Sequence, residues 1–365
     1  MRPAPFRVWR AVALLAFLLM AMPARAGDGD LDWRTIETRH FRLHYPAGLD
    51  ALAHRSARIC EEARAVLVPL LGDFAPPERV EVSLLDFGDS ANGSATALPY
   101  PRMTLLAAPP TLDGNLGDYD DWLRLLIFHE YTHILQLDRI SGLPALINNV
   151  IGRVAAPVQA QPSFVLEGGA VYAESATSGR GRIHSAMFRG FLRAQALDGR
   201  LHGIDAITHA PIDWPGANVW YMYGGHFMDW IARTRGPQTI GGFYDETSDN
   251  LVPFGINRAA EVATGRTMDS LYQAWIADLT ATARAEQAEL VVAGLTPLRW
   301  RTTTGRRHAE LRYLPDGTLL SQDGGAEPSG IYARRPDTPL DAHDALVLDG
   351  EGIGGYDVCR GGRAL

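Results

Sequence analysis

Two histidines and a glutamate stand close together in the segment His129-Glu130-Tyr131-Thr132-His133. If this segment is helical, the two histidines lie one turn apart on the same face, with Cβ atoms about 5–6 Å apart. That spacing lets both imidazoles bind one zinc ion, each at about 2.1 Å. Glu130 lies next to the first histidine and can reach a water molecule beside the metal, which is where a general base is needed. The segment therefore predicts one zinc ion per chain and hydrolytic chemistry.

A catalytic zinc site commonly uses three protein ligands and keeps a fourth position open. The metzincin type would place a histidine six residues after His133, where this chain has Arg139. A glutamate on a following helix is the alternative, and the stretch 164–174 supplies Glu167. Glu174 follows Glu167 by two helical turns, so it either accepts a hydrogen bond from a ligand histidine or remains a solvated helix carboxylate.

The segment HEYTH followed by LEGGAVYAE resembles the gluzincin pattern of HExxH plus a Glu-Gly-x-Ala helix, as in aminopeptidase-N-like zinc metallopeptidases. The resemblance covers about residues 33–290 and implies a peptidase-MA-like domain with Glu167 as the third zinc ligand and Glu130 as the general base. The interval between His133 and Glu167 is longer than in the aminopeptidases, and an inserted loop at about 141–162 would explain the difference.

The same resemblance implies two groups that handle the substrate. Tyr221 matches the tyrosine of the family's Tyr-x-x-Gly segment, which donates a hydrogen bond to the oxyanion; Tyr223 competes for this role, and an aromatic helix face that only packs is the alternative. Family members bind an extended substrate along an edge strand, for which residues 103–107, with Met103 and Leu105, are the candidate. The family's Gly-Ala-Met-Glu-Asn signature is absent, so the resemblance supports a peptidase more than an aminopeptidase.

The elements that must position these residues indicate a mixed α+β domain, with a small sheet followed by a helical zinc-binding core and a helical C-terminal part. The HExxH segment lies in a predicted helix that is apolar nearly all round and should be buried. Gly168 and Gly169 would let the Glu167 helix approach it closely. The periodicity of apolar residues predicts strands at 41–45, 80–85 and 103–107 and helices at 49–71, 121–137, 164–176, 184–197, 218–234 and 269–290.

The first 26 residues have the pattern of a signal peptide. Arg2, Arg7 and Arg10 precede an apolar run and then Ala24-Arg25-Ala26, which predicts cleavage after Ala26. The apolar run is shorter than the roughly 20 residues that span a membrane. We therefore expect a periplasmic or secreted protein without stable membrane insertion after cleavage.

The sequence changes character near Thr296, where helical patterns give way to Gly-rich, strand-like stretches. A Pro-Asp-Gly turn at 315–317 predicts a hairpin, and this part resembles the start of a Tol-type β-propeller. A closed propeller needs at least four blades of about 40–45 residues each. Residues 27–295 are thus expected to form the zinc metallopeptidase domain, and residues 296–365 a short all-β, partial propeller-like segment or a small β appendage.

The formal net charge of −8 at pH 7 argues against nucleic acid as a partner. The sequence favours a peptide or protein substrate, hydrolysed by zinc-activated water with Glu130 as general base. The alternative from a different class is a periplasmic interaction protein, with a degenerate or structural metal domain and a β segment that binds a protein partner. The intact Glu130 favours the enzyme, because a structural metal site has no use for a general base.

Overall fold

The computed structural model describes residues 31–88, 90–110, 116, 119–212, 215–250, 255–305, 307–324, 328–350, 353 and 355–359. The predicted signal peptide, residues 1–26, lies outside the described residues. The chain divides into two compact units, Met1–Gln287 and Ala288–Leu365, a few residues before the boundary predicted at Thr296. None of the helices within the described ranges is long and apolar enough to cross a membrane.

The secondary structure begins with strands and a long helix, continues with helices, and ends with strands. In chain order the elements are β1 (Trp33–Glu37), β2 (Phe41–Pro46), α1 (Asp50–Leu70), β3 (Val80–Leu85), β4 (Gly93–Thr96), β5 (Arg102–Leu106), α2 (Trp122–Leu137), α3 (Gly142–Ile151), α4 (Ser163–Ala176), α5 (Ala186–Leu197), α6 (Ile204–His209), α7 (Asn218–Arg235), α8 (Gln238–Asp245), α9 (Ile256–Thr264), α10 (Met268–Ala293), β6 (Arg307–Tyr313), β7 (Leu319–Gly324), β8 (Gly330–Arg334) and β9 (Ala345–Asp349). Short 3-10 turns lie at Pro157–Ala160 and Arg182–His184.

The first unit contains a five-stranded mixed sheet with the strand order β1-β2-β3-β5-β4. Strands β2, β3 and β5 are parallel, and β1 and β4 join them antiparallel at the two edges. Alternating apolar residues such as Phe41, Val82 and Leu105 bury one face of the sheet. Helices α1 and α2 contact strands of this sheet, so the helix that carries the HExxH segment is fixed to a rigid layer. The predicted α+β class is confirmed.

The prediction that residues 103–107 form the edge strand at the site is wrong. Strand β5 lies between β3 and β4, and both Met103 and Leu105 are buried in the core. The edge is β4, which pairs antiparallel with β5 through partners such as Ser94 and Thr104. The backbone edge that was expected to be open to a peptide is therefore already occupied, and Met103 and Leu105 are core residues.

Helices make up most of the rest of the first unit, and α1 and α4 pack against α2. Its N-cap is Asp121, whose carboxylate accepts a hydrogen bond from the backbone N–H of Arg124 at 3.2 Å. Fourteen of its residues are buried, as its apolar composition predicts. The predicted helices are present within a few residues of their expected ends. Helix α3 lies inside the stretch that was predicted to be an inserted loop.

The second unit contains a four-stranded antiparallel sheet in the order β6-β7-β8-β9. The predicted hairpin is formed by β6 and β7, and its turn is stabilised by a hydrogen bond from the Thr318 N–H to Asp316 Oδ1 at 2.9 Å. A small cluster of Leu320, Ile331 and Tyr356 forms its core. Among the described residues of this unit, no closed propeller is formed.

Candidate metal centre

Helices α2 and α4 bring His129, His133 and Glu167 to one point. The Nε2 atoms of His129 and His133 are 3.2 Å apart, and each lies 3.3 Å from Glu167 Oε2. Ligand atoms about 2.0–2.1 Å from a tetrahedral zinc ion are separated by about 3.3 Å. The three atoms thus form a triangle of the size that a tetrahedral metal requires, and this group could hold a metal ion.

The ring of His129 is oriented by Glu174, which lies two turns after Glu167 on α4. His129 Nδ1 is 2.9 Å from Glu174 Oε2, so Nδ1–H can donate to the carboxylate and leave Nε2 free for a metal. Glu174 is only 1% exposed, so the alternative of a solvated helix carboxylate is wrong.

The ring of His133 is oriented by Gln136, a residue that belongs to no predicted site. His133 Nδ1 is 2.9 Å from Gln136 Oε1. The amide nitrogen of Gln136 donates to the Leu166 carbonyl and to the Tyr244 hydroxyl, both at 2.9 Å. Gln136 therefore connects one histidine to the backbone just before Glu167. Its position three residues after His133, on the same helix face, was the available signal.

Arg182 is the second residue beside the three candidate ligands that the sequence did not indicate. It begins the 3-10 turn Arg182–His184 and is only 7% exposed. Its Nε and Nη2 donate to the two carboxylate oxygens of Glu174 at 2.9 and 2.7 Å. The surrounding Gly-Arg-Gly-Arg sequence is typical of an exposed loop, so nothing local indicated that this arginine is buried.

These contacts keep the carboxylates of the centre ionised. Burial favours the neutral acid at Glu174, but the charge and hydrogen bonds of Arg182 outweigh it and lower the pKa of Glu174 to about 2. Burial likewise opposes ionisation of Glu167, whereas hydrogen bonds from His129 and His133 lower its pKa. At His129, burial and Arg182 oppose protonation, and the Glu167 and Glu174 carboxylates nevertheless raise its pKa to about 9.

Glu130 lies beside this triangle and against strand β4. A β-carbon built on Gly93 would come within 2.7 Å of Glu130 Oε1, so the carboxylate and the strand are in close contact. Burial raises the pKa of Glu130, which makes it a better proton acceptor than a solvated carboxylate. Glu130, Gly93 and the three side chains that could hold a metal ion line one cleft of about 470 Å³.

The two tyrosines proposed as hydrogen-bond donors lie on α7 but face different surroundings. Tyr221 lines the cleft, with its ring centre 6.3 Å from that of His129, and burial raises its pKa to about 12. Tyr223 is fully buried, donates to Gln195 Oε1 at 2.6 Å and packs on Trp275. Of the two, Tyr221 faces the cleft, and Tyr223 belongs to the packed aromatic face.

The glycines after Glu167 permit close packing of α4, but Gly168 does so against α7 and not against α2 as predicted. A β-carbon on Gly168 would come within 2.5 Å of the backbone of Gly224, so this glycine faces α7 and not α2. A β-carbon on Gly169 would come within 2.0 Å of the Tyr244 hydroxyl and 2.9 Å of Gln136 Nε2. Gly169 thus makes room for the network that holds His133.

The sequence matches no protein-family model and no curated protein. Among solved structures, the chain is similar to a mutant of an M1 zinc metallopeptidase from Deinococcus radiodurans, with 14% sequence identity and a TM-score of 0.39. The match covers 67% of this chain and 52% of the other, so the chain spans about half the length of that protein. A likeness at this level supports no inference about activity, which must come from the centre itself.

Proposed function

We propose that the chain is a zinc-dependent peptidase of the gluzincin type. His129, His133 and Glu167 are the zinc ligands, Glu130 is the general base, and Tyr221 donates to the oxyanion. The observation that carries the proposal is the triangle of His129 Nε2, His133 Nε2 and Glu167 Oε2, with sides of 3.2, 3.3 and 3.3 Å. A zinc ion there would supply Lewis acidity that polarises a carbonyl and lowers the pKa of water.

The remaining steps belong to side chains of the chain. Glu130 accepts a proton from the attacking water at its buried carboxylate and returns it to the leaving amine. The Tyr221 hydroxyl, kept protonated by its raised pKa, donates a hydrogen bond to the oxygen that gains charge. Glu174 and Gln136 hold the Nδ1 atoms of His129 and His133, which fixes both rings.

Strand β4 is the element that we propose binds the peptide backbone. It is an edge strand, and residues 92–95 line the cleft beside Glu130. An extended peptide can add to such an edge by main-chain hydrogen bonds, which places its scissile carbonyl along the wall of the cleft. This assignment replaces Met103 and Leu105 as the substrate-binding residues.

The decisive experiment combines metal analysis with digestion of a peptide library by the protein and its Glu130→Gln variant. We expect about one zinc per chain in both. Hydrolysis should fall by at least about 10²-fold in the variant, because a positioned base contributes about 10²–10⁴-fold. Zinc binding without hydrolysis by the unchanged protein would instead favour the metal-domain interaction protein considered as the alternative. Equal hydrolysis by both proteins would remove Glu130 from the mechanism.

A further inference from the structure

The guanidinium of Arg182 contacts groups from three helices in the wall of the cleft. It donates to both carboxylate oxygens of Glu174 on α4. Its Nη2 lies 2.8 Å from Nδ1 of His129 on α2, which is a contact and not a hydrogen bond when Nδ1–H donates to Glu174. Its central carbon lies 4.6 Å from the ring centre of Tyr221 on α7. One side chain therefore touches the carboxylate that orients a proposed zinc ligand and the ring of the proposed oxyanion donor.

The chemistry of arginine suits both contacts at once. A planar guanidinium can bind a carboxylate through two N–H groups along one edge while its face stacks on an aromatic ring. A lysine can supply the charge but neither the two-point contact nor the flat face. Arg182 thus binds Glu174 through two N–H groups, and its guanidinium lies over the ring of Tyr221.

A purely structural ion pair would also bury an arginine, and the chain contains one for comparison. Arg139 is 2% exposed, pairs with Asp245 and donates to backbone carbonyls, but it does not line the cleft. Arg182 differs because it lines the cleft and because each of its partners also contacts or flanks the metal centre. Burial of the charge alone does not account for that placement.

We propose that Arg182 is a positioning residue that couples the orientation of His129, through Glu174, to the orientation of Tyr221. The part of this inference that concerns Tyr221 rests on the proposed peptidase function. The part that concerns His129 requires only that the site binds a metal. Loss of Arg182 should therefore affect two separable properties. One is the affinity for zinc, and the other is the rate of hydrolysis at saturating substrate.

Three variants separate these properties: Arg182→Met, Arg182→Lys and Tyr221→Phe. Arg182→Met should weaken zinc binding about 10–100-fold, the range seen when a group behind a metal ligand is lost, and should also lower kcat. Arg182→Lys keeps a cation beside Glu174, so zinc affinity should remain within about threefold while kcat falls at least about tenfold with little change in KM. Tyr221→Phe should lower kcat and leave zinc affinity unchanged.

The measurements are zinc affinity by competition with a chelating dye, the visible spectrum of the cobalt(II)-loaded protein, and kcat and KM with the best peptide from the library. Arg193→Met is the matched control, because Arg193 also pairs with a glutamate, Glu286 at 2.8 Å, but at an exposed site. This control should match the unchanged protein in all three measurements. The zinc and cobalt measurements test the inference about His129 even if no peptide is cleaved. Absence of cleavage would refute the proposed function but not this inference.

If Arg182→Met fails to fold, the double variant Arg182→Met/Glu174→Gln removes both buried charges and takes its place. It should have a lower kcat than Glu174→Gln alone, because the face that positions Tyr221 is missing. Equal kcat and zinc affinity in these two proteins would overturn the inference. The inference would also be overturned if a folded Arg182→Met had the zinc affinity and kcat of the unchanged protein. Equal losses of zinc affinity and kcat in Arg182→Met and Arg182→Lys would overturn it too.

Discussion

The carboxylate of Glu130 lies so close to Gly93 that a β-carbon on this glycine would stand 2.7 Å from Oε1 and 2.8 Å from Cγ of the glutamate. The contact joins the HExxH helix to the edge strand β4. It places the proposed general base next to the backbone that would hold a peptide. The absence of a side chain at position 93 is therefore part of the geometry of the cleft.

Gly93→Ala should lower hydrolysis by displacing the Glu130 carboxylate, while the zinc content stays at that of the unchanged protein. The three atoms nearest to the added methyl group all belong to side chains, two to Glu130 and one to Leu126 (Cδ1 at 2.8 Å), so the fold should tolerate it by side-chain movement. We expect a loss of at least about tenfold in kcat/KM, since a small misplacement of a catalytic group is costly. Gly190→Ala is the control, because nothing lies within 4 Å of a β-carbon there. Full activity of the Gly93 variant would show that Glu130 does not need this position.

Removal of a proposed ligand should remove the metal, whereas removal of the group behind a ligand should only weaken its binding. His133→Ala should purify with far less than the roughly one zinc per chain expected of the unchanged protein. Glu174→Gln should bind zinc stoichiometrically at high concentration, with affinity lowered about 10–100-fold. Metal content and a competition titration distinguish the two cases. Stoichiometric zinc in His133→Ala would exclude the proposed centre.

Helices α4 and α7 are in contact through Gly168 and Gly224. Substitution by alanine should therefore have opposite effects on stability at Gly168, which lies in this contact, and at Gly190, which does not. Gly168→Ala places a methyl group 2.5 Å from the Gly224 backbone, so it should lower the free energy of unfolding by about 1–3 kcal/mol. Gly190→Ala, in open space on α5, should raise it by about 0.5–1 kcal/mol because alanine favours the helix. Denaturant unfolding measures both. Equal effects at the two positions would contradict the close packing of these helices.

The parts that the sequence predicted share a strong local pattern. The HExxH helix is apolar nearly all round, and the spacing of its histidines specifies one face. The helix that carries Glu167 could be located because Glu167 and its glycines stand in a clear apolar run. Helix α3 was missed although Leu143, Leu146 and Val150 follow helical spacing. A loop was predicted there because the interval between His133 and Glu167 is long.

The parts that could not be predicted depend on contacts between distant segments. Strand β4 has the sequence Gly-Ser-Ala-Thr within a turn-like stretch, and only its pairing with β5 makes it a strand. That pairing also decides which strand forms the edge, so Met103 and Leu105 were misassigned. Arg182 owes its burial to Glu174 on another element. The local pattern of apolar and polar residues does not show which distant segments will be in contact.

Gln136 provides the last test, because it connects both sides of the centre. It accepts from His133 and donates to the Leu166 carbonyl and the Tyr244 hydroxyl, and it is fully buried. Gln136→Leu keeps a similar volume but removes the acceptor of His133 Nδ1, whereas the Tyr244 hydroxyl can still donate to the Val165 carbonyl at 3.3 Å. We expect zinc affinity to fall about 10–100-fold, because the ring of His133 loses the acceptor that fixes its orientation.

Tyr244→Phe is the matched control for this variant. It removes one acceptor of the Gln136 amide but leaves the contact between Gln136 and His133, so its effect on zinc affinity should be much smaller. Both variants are measured by competition titration, with thermal unfolding in the presence of a chelator to separate metal binding from stability of the metal-free protein. If Gln136→Leu binds zinc as tightly as the unchanged protein, His133 does not depend on Gln136. If Tyr244→Phe weakens zinc binding as much as Gln136→Leu, then zinc binding depends on the hydrogen bond between Gln136 and Tyr244 and not on the contact between Gln136 and His133.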